Sequence, residues 1–397
     1  MNYQFSERMS TIRSSSIREI LKITQNPEVI SFAAGSPASE SFPIQEFSEL
    51  SKEIYEKNPV QALQYNVTEG YPPLLDKISK RLKEKFKVGN ENDSTLVVSG
   101  GQQGIEFIAK VLCNEGDTII CENPTFVGGM NAFRSHGANL VGIEMDDEGI
   151  RVDNLEKAIK NNKNVKMIYL IPTFQNPTGK TMSLRRRKEV YELASKYNIL
   201  ILEDNPYGEL RFNGEDIAPI KSMDTEGIVI YCGSFSKTLS AGMRLGFVNG
   251  PSKILQKIVL AKQVSDVHTN IYFQILTDKY LEKYDYDAHI EEIRNLYRRK
   301  SNLMIKTIEK NFYERVQFTR PDGGLFLWCT MPDEIDINEF TKRALEKKVA
   351  FVPGHDFLPD YDEPCHCFRL NYSTPSDESI VNGIKIIAEV INEFLDK

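Results

Sequence analysis

A lysine set between hydroxyls, Ser234-Phe235-Ser236-Lys237, with Arg244 seven residues further on, is the part of this chain best suited to covalent chemistry. The run before it, Gly227-Ile228-Val229-Ile230-Tyr231-Cys232, is apolar and closes on Gly233, as a buried strand does. Lys237 therefore emerges at a strand end, where α/β proteins place their sites. Partial burial and a neighbouring cation disfavour the charged form of a lysine, so its amine becomes a nucleophile able to form a Schiff base with an aldehyde cofactor. Ser234, Ser236 and Arg244 are donors for that cofactor's phosphate. A serine–lysine pair alone is equally compatible with a solvated loop, so the reading rests on the other groups that such a site needs.

Those groups are present, and pyridoxal phosphate (PLP) is the aldehyde cofactor whose parts they match. Ser99-Gly100-Gly101-Gln102-Gln103-Gly104 lies between a strand and a helix, where glycines let an anion approach free N–H groups. Asp204, in Glu203-Asp204-Asn205-Pro206-Tyr207, ends another apolar run and offers a carboxylate to a protonated ring nitrogen. Asn176, in Gln175-Asn176-Pro177-Thr178-Gly179, and Tyr207 are donors for a phenolic oxygen, and Phe126 is a flat partner for a ring face. Arg369 sits among apolar neighbours in Cys367-Phe368-Arg369-Leu370-Asn371-Tyr372 and can take a carboxylate with both arms of its guanidinium. Each has a plainer reading: a strand-to-helix turn, a solvated aspartate, a loop, core packing and a structural ion pair.

The elements that must position these residues follow from periodicity. Strands are expected at 95–98, 118–121, 140–144, 166–171, 199–202, 228–232 and 245–248, with helices at 102–112, 127–136 and 183–197 between them. That alternation predicts a mostly parallel sheet between layers of helices. After about residue 252 the pattern changes to long helical stretches over 254–283 and 289–311, then short strands near 316–319, 325–330, 350–352 and 367–372, with helices over 337–347 and 376–395. Ser14 to Thr24 has the spacing of an amphipathic helix.

The chain has 397 residues, 41% hydrophobic and 26% charged, with a net charge of −7. These values suit a soluble globular protein and argue against a nucleic-acid partner. Arg185-Arg186-Arg187-Lys188 reads as the exposed first turns of a helix. No apolar run reaches the roughly 18–20 residues of a membrane span, and the polar start of the chain lacks a signal-peptide core, so a cytoplasmic protein is expected. Four of the six cysteines lie in or beside apolar runs, and Cys365-His366-Cys367 lacks the second ligand pair of a zinc site, so no metal is expected.

Taken together, Gly-Gly-Gln, Phe126, Asn-Pro-Thr-Gly, Asp-x-Pro-Tyr, Ser-Phe-Ser-Lys, Arg244 and Arg369, in that order, resemble the PLP-dependent aminotransferases of fold type I over nearly the whole chain. Ser16-Ile17-Arg18-Glu19-Ile20-Leu21, Phe32-Ala33-Ala34-Gly35-Ser36-Pro37 and Leu63-Gln64-Tyr65-Asn66-Val67-Thr68-Glu69-Gly70 are similar to the 2-aminoadipate/kynurenine aminotransferase subgroup. The resemblance implies an α/β fold: a large domain with a mostly parallel seven-stranded sheet between helices, plus a smaller α+β domain. The bounds expected are an N-terminal arm over 1–45, a PLP-binding domain over 46–275 and a small domain over 276–397.

It further implies that Lys237 carries the cofactor, Asp204 pairs the ring nitrogen, Asn176 and Tyr207 bond the phenolic oxygen, and Phe126 stacks on the ring. Gly101, Gln102, Ser234, Ser236 and Arg244 would hold the phosphate, with Tyr65 reaching the phosphate of a neighbouring subunit in a homodimer. Asn176 and Arg369 would bind the substrate α-carboxylate, with Gly35 and Arg18 near its side chain. The activity implied is transfer of an amino group from an L-amino acid (2-aminoadipate, glutamate, aromatic or aliphatic) to a 2-oxo acid such as 2-oxoglutarate by a ping-pong mechanism. Another PLP reaction on the same fold, such as β-elimination or decarboxylation, and a non-catalytic PLP-binding regulator remain open, because fold does not fix reaction type. The chain departs from the pattern at Gly101, where relatives often have Ser or Ala, and at Phe126, where many have Tyr.

Overall fold

A computed structural model describes residues 3–6, 9–10, 12, 20, 22–23 and 26–395. The first strand, β1 (Ile30–Ser31), leads to helices Ile44–Lys57, Pro59–Leu63 and Pro72–Arg81. The main sheet follows, built from β2 (Asp93–Val98), β3 (Thr118–Asn123), β4 (Asn139–Asp146), β5 (Gly149–Ile150), β6 (Val165–Leu170), β7 (Leu200–Asp204), β8 (Val229–Ser234) and β9 (Gly246–Pro251). Their order is β2-β9-β8-β7-β6-β3-β4-β5. Pairing is parallel from β8 through β4, while β9 runs antiparallel to both of its neighbours. The sheet thus has eight strands, not the expected seven. The extra one is a two-residue return, β5, that pairs antiparallel with the end of β4 and is too short to show as a run of apolar residues.

Apolar strands such as Val229-Ile230-Tyr231-Cys232 are buried on both faces because helices cover both. The chain leaves the carboxyl ends of β2, β3, β6, β7 and β8 at one edge of the sheet. Against that edge stands a second sheet of β10 (Gln317–Phe318), β11 (Phe326–Thr330), β13 (Val352–Pro353) and β14 (Cys367–Asn371), ordered β10-β11-β14-β13 and antiparallel throughout. Between them in sequence, β12 (Val349–Ala350) pairs in parallel with β1. The single strand expected at 350–352 is therefore two short ones serving different sheets. Among the described residues no helix is long and apolar enough to cross a membrane.

The single helix expected over 254–283 is two, Ser252–Gln263 and Ile271–Lys283. The N–H groups of Ser265, Asp266 and Val267 all turn back onto the Lys262 carbonyl, Val267 takes a φ of 64°, and Asn270 caps the next helix by accepting from the Phe273 N–H. Helix Ile44–Lys57 escaped sequence reading because only Leu50 and Ile54 of its residues are buried, too few to mark a periodic stripe.

Helix Leu184–Tyr197, capped by Ser183, corrects the reading of the basic run at its start. Arg185 and Lys188 are exposed, but Arg186 and Arg187 are buried. Arg187 donates to the carbonyls of Pro172, Met182 and Ala218 at 2.8–3.1 Å and to Thr173 Oγ1 at 2.8 Å. It thereby ties down both ends of the loop between β6 and this helix. Arg187→Met would leave those buried carbonyls unpaired and is expected to cost about 3–5 kcal/mol in urea unfolding. Arg185→Ala, two residues away in the same run, is expected to stay within about 0.5 kcal/mol.

Candidate active site

A cavity of about 470 Å³ opens where the carboxyl edge of the main sheet meets β11 and β14. Its walls include Gly35, Gly101, Gln102, Phe126, Asn176, Asp204, Tyr207, Ser234, Ser236, Lys237, Arg244 and Arg369. Every candidate residue lies there except two. Tyr65 is 80% exposed, edge-on to the His268 ring, and off the cavity. Arg18 lies outside the described residues, as does most of the helix expected over 14–24.

Lys237 stands three residues beyond the end of β8, and its Nζ donates to the Gly35 carbonyl at 2.6 Å. Burial, then the positive charges of Arg369 and Arg244, bring its ammonium down to about 8, against the pull of Asp204. A lysine so placed supplies a fair share of neutral amine near neutral pH. Asp204, the last residue of β7, is 5% exposed. Burial pushes its carboxyl up to about 7, and the hydrogen bond donated by Tyr169 at 2.8 Å and the charge of Lys237 only partly offset this.

Arg369 is 3% exposed and lies between the rings of Phe326 and Phe357, at 4.1 and 4.9 Å from their centroids. Its two terminal nitrogens donate to Asn176 Oδ1 and to the Ala33 carbonyl, each at 2.8 Å. Its Nε has no partner, and no carboxylate of the described residues lies within ion-pair distance. Burial brings the guanidinium down to about 10, against the pull of Tyr207 and of the more distant Asp356 carboxylate. The structural ion pair that the sequence left open is therefore absent among the described residues, and the buried cation faces a cavity able to take an anion. Because a guanidinium only donates, Asn176 must turn its oxygen to Arg369, which points its NH₂ toward Tyr207.

At the far end, Gly100 takes a φ of 78° and opens helix Gly101–Leu112 with no side-chain cap. A Cβ on Gly100 would lie 2.3 Å from Arg244 Nη2, so only glycine lets the helix start and this guanidinium meet. Arg244 itself has a φ of 52° and donates to Ser236 Oγ at 3.3 Å. Helix N–H groups, two serines and an arginine form an anion cradle. Carboxylate, amine and cradle, spread along one cavity beside the Phe126 ring, fit the nitrogen, aldehyde and phosphate of PLP.

The sequence model of the aminotransferase class I and II family matches residues 27–387. The chain belongs to that family. It is 41% identical to aromatic-amino-acid aminotransferase 1 of Thermococcus litoralis, over 99% of this chain and 95% of the relative. Its fold matches the kynurenine aminotransferase of Pyrococcus horikoshii, solved with PMP, at a TM-score of 0.94 and 38% identity, covering 98% of this chain and 97% of that one. It also matches the α-aminoadipate aminotransferase of Thermus thermophilus, solved with N-(5'-phosphopyridoxyl)-L-leucine, at a TM-score of 0.91 and 33% identity, over 99% and 98% of the two chains. The fold is PLP fold type I, the cofactor is PLP, and the reaction is amino-group transfer.

Two residues of this aminotransferase site went unread in the sequence. Tyr169 looks like one more apolar strand residue, yet its buried hydroxyl holds Asp204; a phenol in an interior strand must find a partner, and that was the available signal. Glu122, 1% exposed, accepts the Ile171 N–H at 3.0 Å and the Gln175 amide at 3.4 Å, fixing the loop that carries Asn176.

The raised Asp204 pKa sets a pH dependence. The folded, cofactor-free chain holds this proton up to about 7, whereas an unfolded aspartate releases it near 3.9. The penalty for ionising Asp204 is therefore absent below about pH 4, grows as pH rises, and is complete above about 7. Urea unfolding of the cofactor-free chain should show Asp204→Asn flattening the fall in stability between about pH 5.5 and 8 by about 2 kcal/mol. An unchanged slope would mean that Asp204 is ionised throughout.

Proposed function

We propose that the chain transfers the amino group of an aromatic L-amino acid or of 2-aminoadipate to a 2-oxo acid such as 2-oxoglutarate, in two half-reactions at one cavity. The observation that carries this reading is Arg369, a buried guanidinium with no carboxylate of the described residues within ion-pair distance, in the same cavity as a lysine whose ammonium is held down to about 8. The donor range follows the relatives named for aromatic amino acids and α-aminoadipate. When bound, PLP supplies an aldehyde that takes up the amino group and a cationic ring that delocalises the electron pair left at the substrate α-carbon.

The protein's own residues then have distinct tasks. Lys237 holds the cofactor, and when displaced its Nζ takes the proton from the substrate α-carbon and later returns one. Ionised Asp204, steadied by Tyr169, accepts from the ring nitrogen. Asn176 and Tyr207 donate to the phenolic oxygen, Phe126 covers a ring face, and Gly101, Gln102, Ser234, Ser236 and Arg244 grip the phosphate. Arg369 and Asn176 grip the α-carboxylate. Gly35, whose carbonyl holds the Lys237 amine, borders the side-chain space, and Arg18 pairs an acidic side chain there.

We further propose a cytoplasmic homodimer, with residues 46–275 as the cofactor domain and 276–397 as the small domain. Tyr65 stands exposed beside exposed Leu63 and Val67, an arrangement suited to reaching a second copy's phosphate. A sedimentation mass near the monomer's 45.3 kDa would remove this part.

Borohydride reduction of the holoenzyme, followed by peptide mapping, should place the cofactor on Lys237, and Lys237→Ala should abolish transfer. Label on another lysine, or ammonia release without an acceptor, would overturn the assignment. In steady-state kinetics Arg369→Lys should lower kcat/KM about a hundredfold for every donor, because an ammonium cannot form the two-armed contact. Arg18→Ala should weaken acidic donors by about tenfold, equivalent to about 1.4 kcal/mol, and leave aromatic ones alone.

A further inference from the structure

Behind the glycine turn of the site lies a charged cluster, a buried lysine with a partly exposed aspartate, that the chemistry above does not use. Lys262 is fully buried at the end of helix Ser252–Gln263. Its Nζ donates to both oxygens of Asp266, to Gln103 Oε1 and to Thr269 Oγ1, each at 2.9 Å. Asp266 Oδ2 also accepts from Gln103 Nε2 at 2.7 Å and from Ser99 Oγ at 2.9 Å. Gln103 Oε1 takes the Ser99 N–H at 2.7 Å. Both donors of Ser99 are therefore held by the cluster, while its carbonyl accepts from Arg244 Nη2 at 3.4 Å.

Gly100, the next residue, packs so closely on Arg244 that not even a Cβ fits between them. A displacement of Ser99 is consequently felt at the helix start and at the guanidinium together. Burying an ammonium costs several kcal/mol unless it is paired. The pairing here is directed at the turn: the carboxylate reaches Ser99 and the first turn of helix Gly101–Leu112. Asp266 alone would repel a phosphate nearby, and Lys262 cancels that charge.

We propose that Asp266, neutralised by Lys262, is a positioning residue for the cofactor phosphate. It fixes Ser99 and Gln103 so that the helix N–H groups and Arg244 converge on one anion. The inference rests on the reading that this cradle holds the phosphate. The test titrates the full chain, freed of cofactor, with PLP and with pyridoxal, which has the same ring and aldehyde but no phosphate, following absorbance. Asp266→Asn should raise the Kd for PLP about tenfold and leave that for pyridoxal within about twofold. Ser99→Ala should raise the PLP value alone, by about threefold, and carries the test if Asp266→Asn does not fold. Equal weakening toward both ligands, or unchanged PLP affinity, overturns the proposal. A wild-type chain that shows no preference for PLP over pyridoxal overturns the phosphate cradle itself.

Discussion

Arg369 is taken out of water with no carboxylate of the described residues within ion-pair distance, and much of the surrounding architecture makes that tolerable. The guanidinium is flanked by two phenyl rings and hydrogen-bonded to a carbonyl and an amide oxygen. These neutral contacts stabilise a cation less than an acid would. Supplying the contacts to Arg369 on β14 requires four distant pieces of chain: the segment at Ala33, the loop after β6, strand β11 with Phe326 and the turn that carries Phe357. The small sheet cannot move away from the main one without breaking the bond from Arg369 to Asn176, whereas Ala33 travels with the small sheet, held through Phe32 to Ala350 and Asn371.

The same desolvation acts on both signs of charge. It lowers the ammonium of Lys237 and raises the carboxyls of Asp204 and Glu122. A water-filled cleft would leave the first mostly charged and the others always ionised. Here burial draws the amine down and the carboxyl up, each toward neutral pH, where proton exchange is easiest. The parallel sheet makes this possible because β3, β6, β7 and β8 all end at one edge, each delivering a loop to a common floor.

The residues that act directly were legible because each carries an unusual local signature. Lys237, Asp204 and Asn176 follow apolar runs that stop at Gly or precede Pro, and Arg369 interrupts an apolar strand. The supporting residues carried no such mark. Lys262 is one of several lysines in an ordinary helix, and only tertiary packing distinguishes it from exposed Lys253 and Lys257. Arg186 and Arg187 read as surface charges because a basic run usually is solvated; their carbonyl and carboxylate partners lie far along the chain or in irregular loops. The break at 264–270 was invisible because its determinant is backbone wrapping on one carbonyl.

Asn176 has one further consequence. Its oxygen faces Arg369 and its amino group faces Tyr207, so a single planar amide of fixed size sets the spacing between those two residues. Whatever is gripped at the guanidinium end and joined through nitrogen at the Lys237 end must match that span. A β-amino acid inserts one more carbon, about 1.5 Å of chain, between carboxylate and nitrogen. The amide has no hinge with which to absorb it, because Pro177 and the Gln175–Thr178 bonds hold the loop on one side and Arg369 on the other. With Arg369 on the carboxylate, as proposed above, one side chain would serve as the ruler for the distance between two functional groups, whatever side chain the substrate carries.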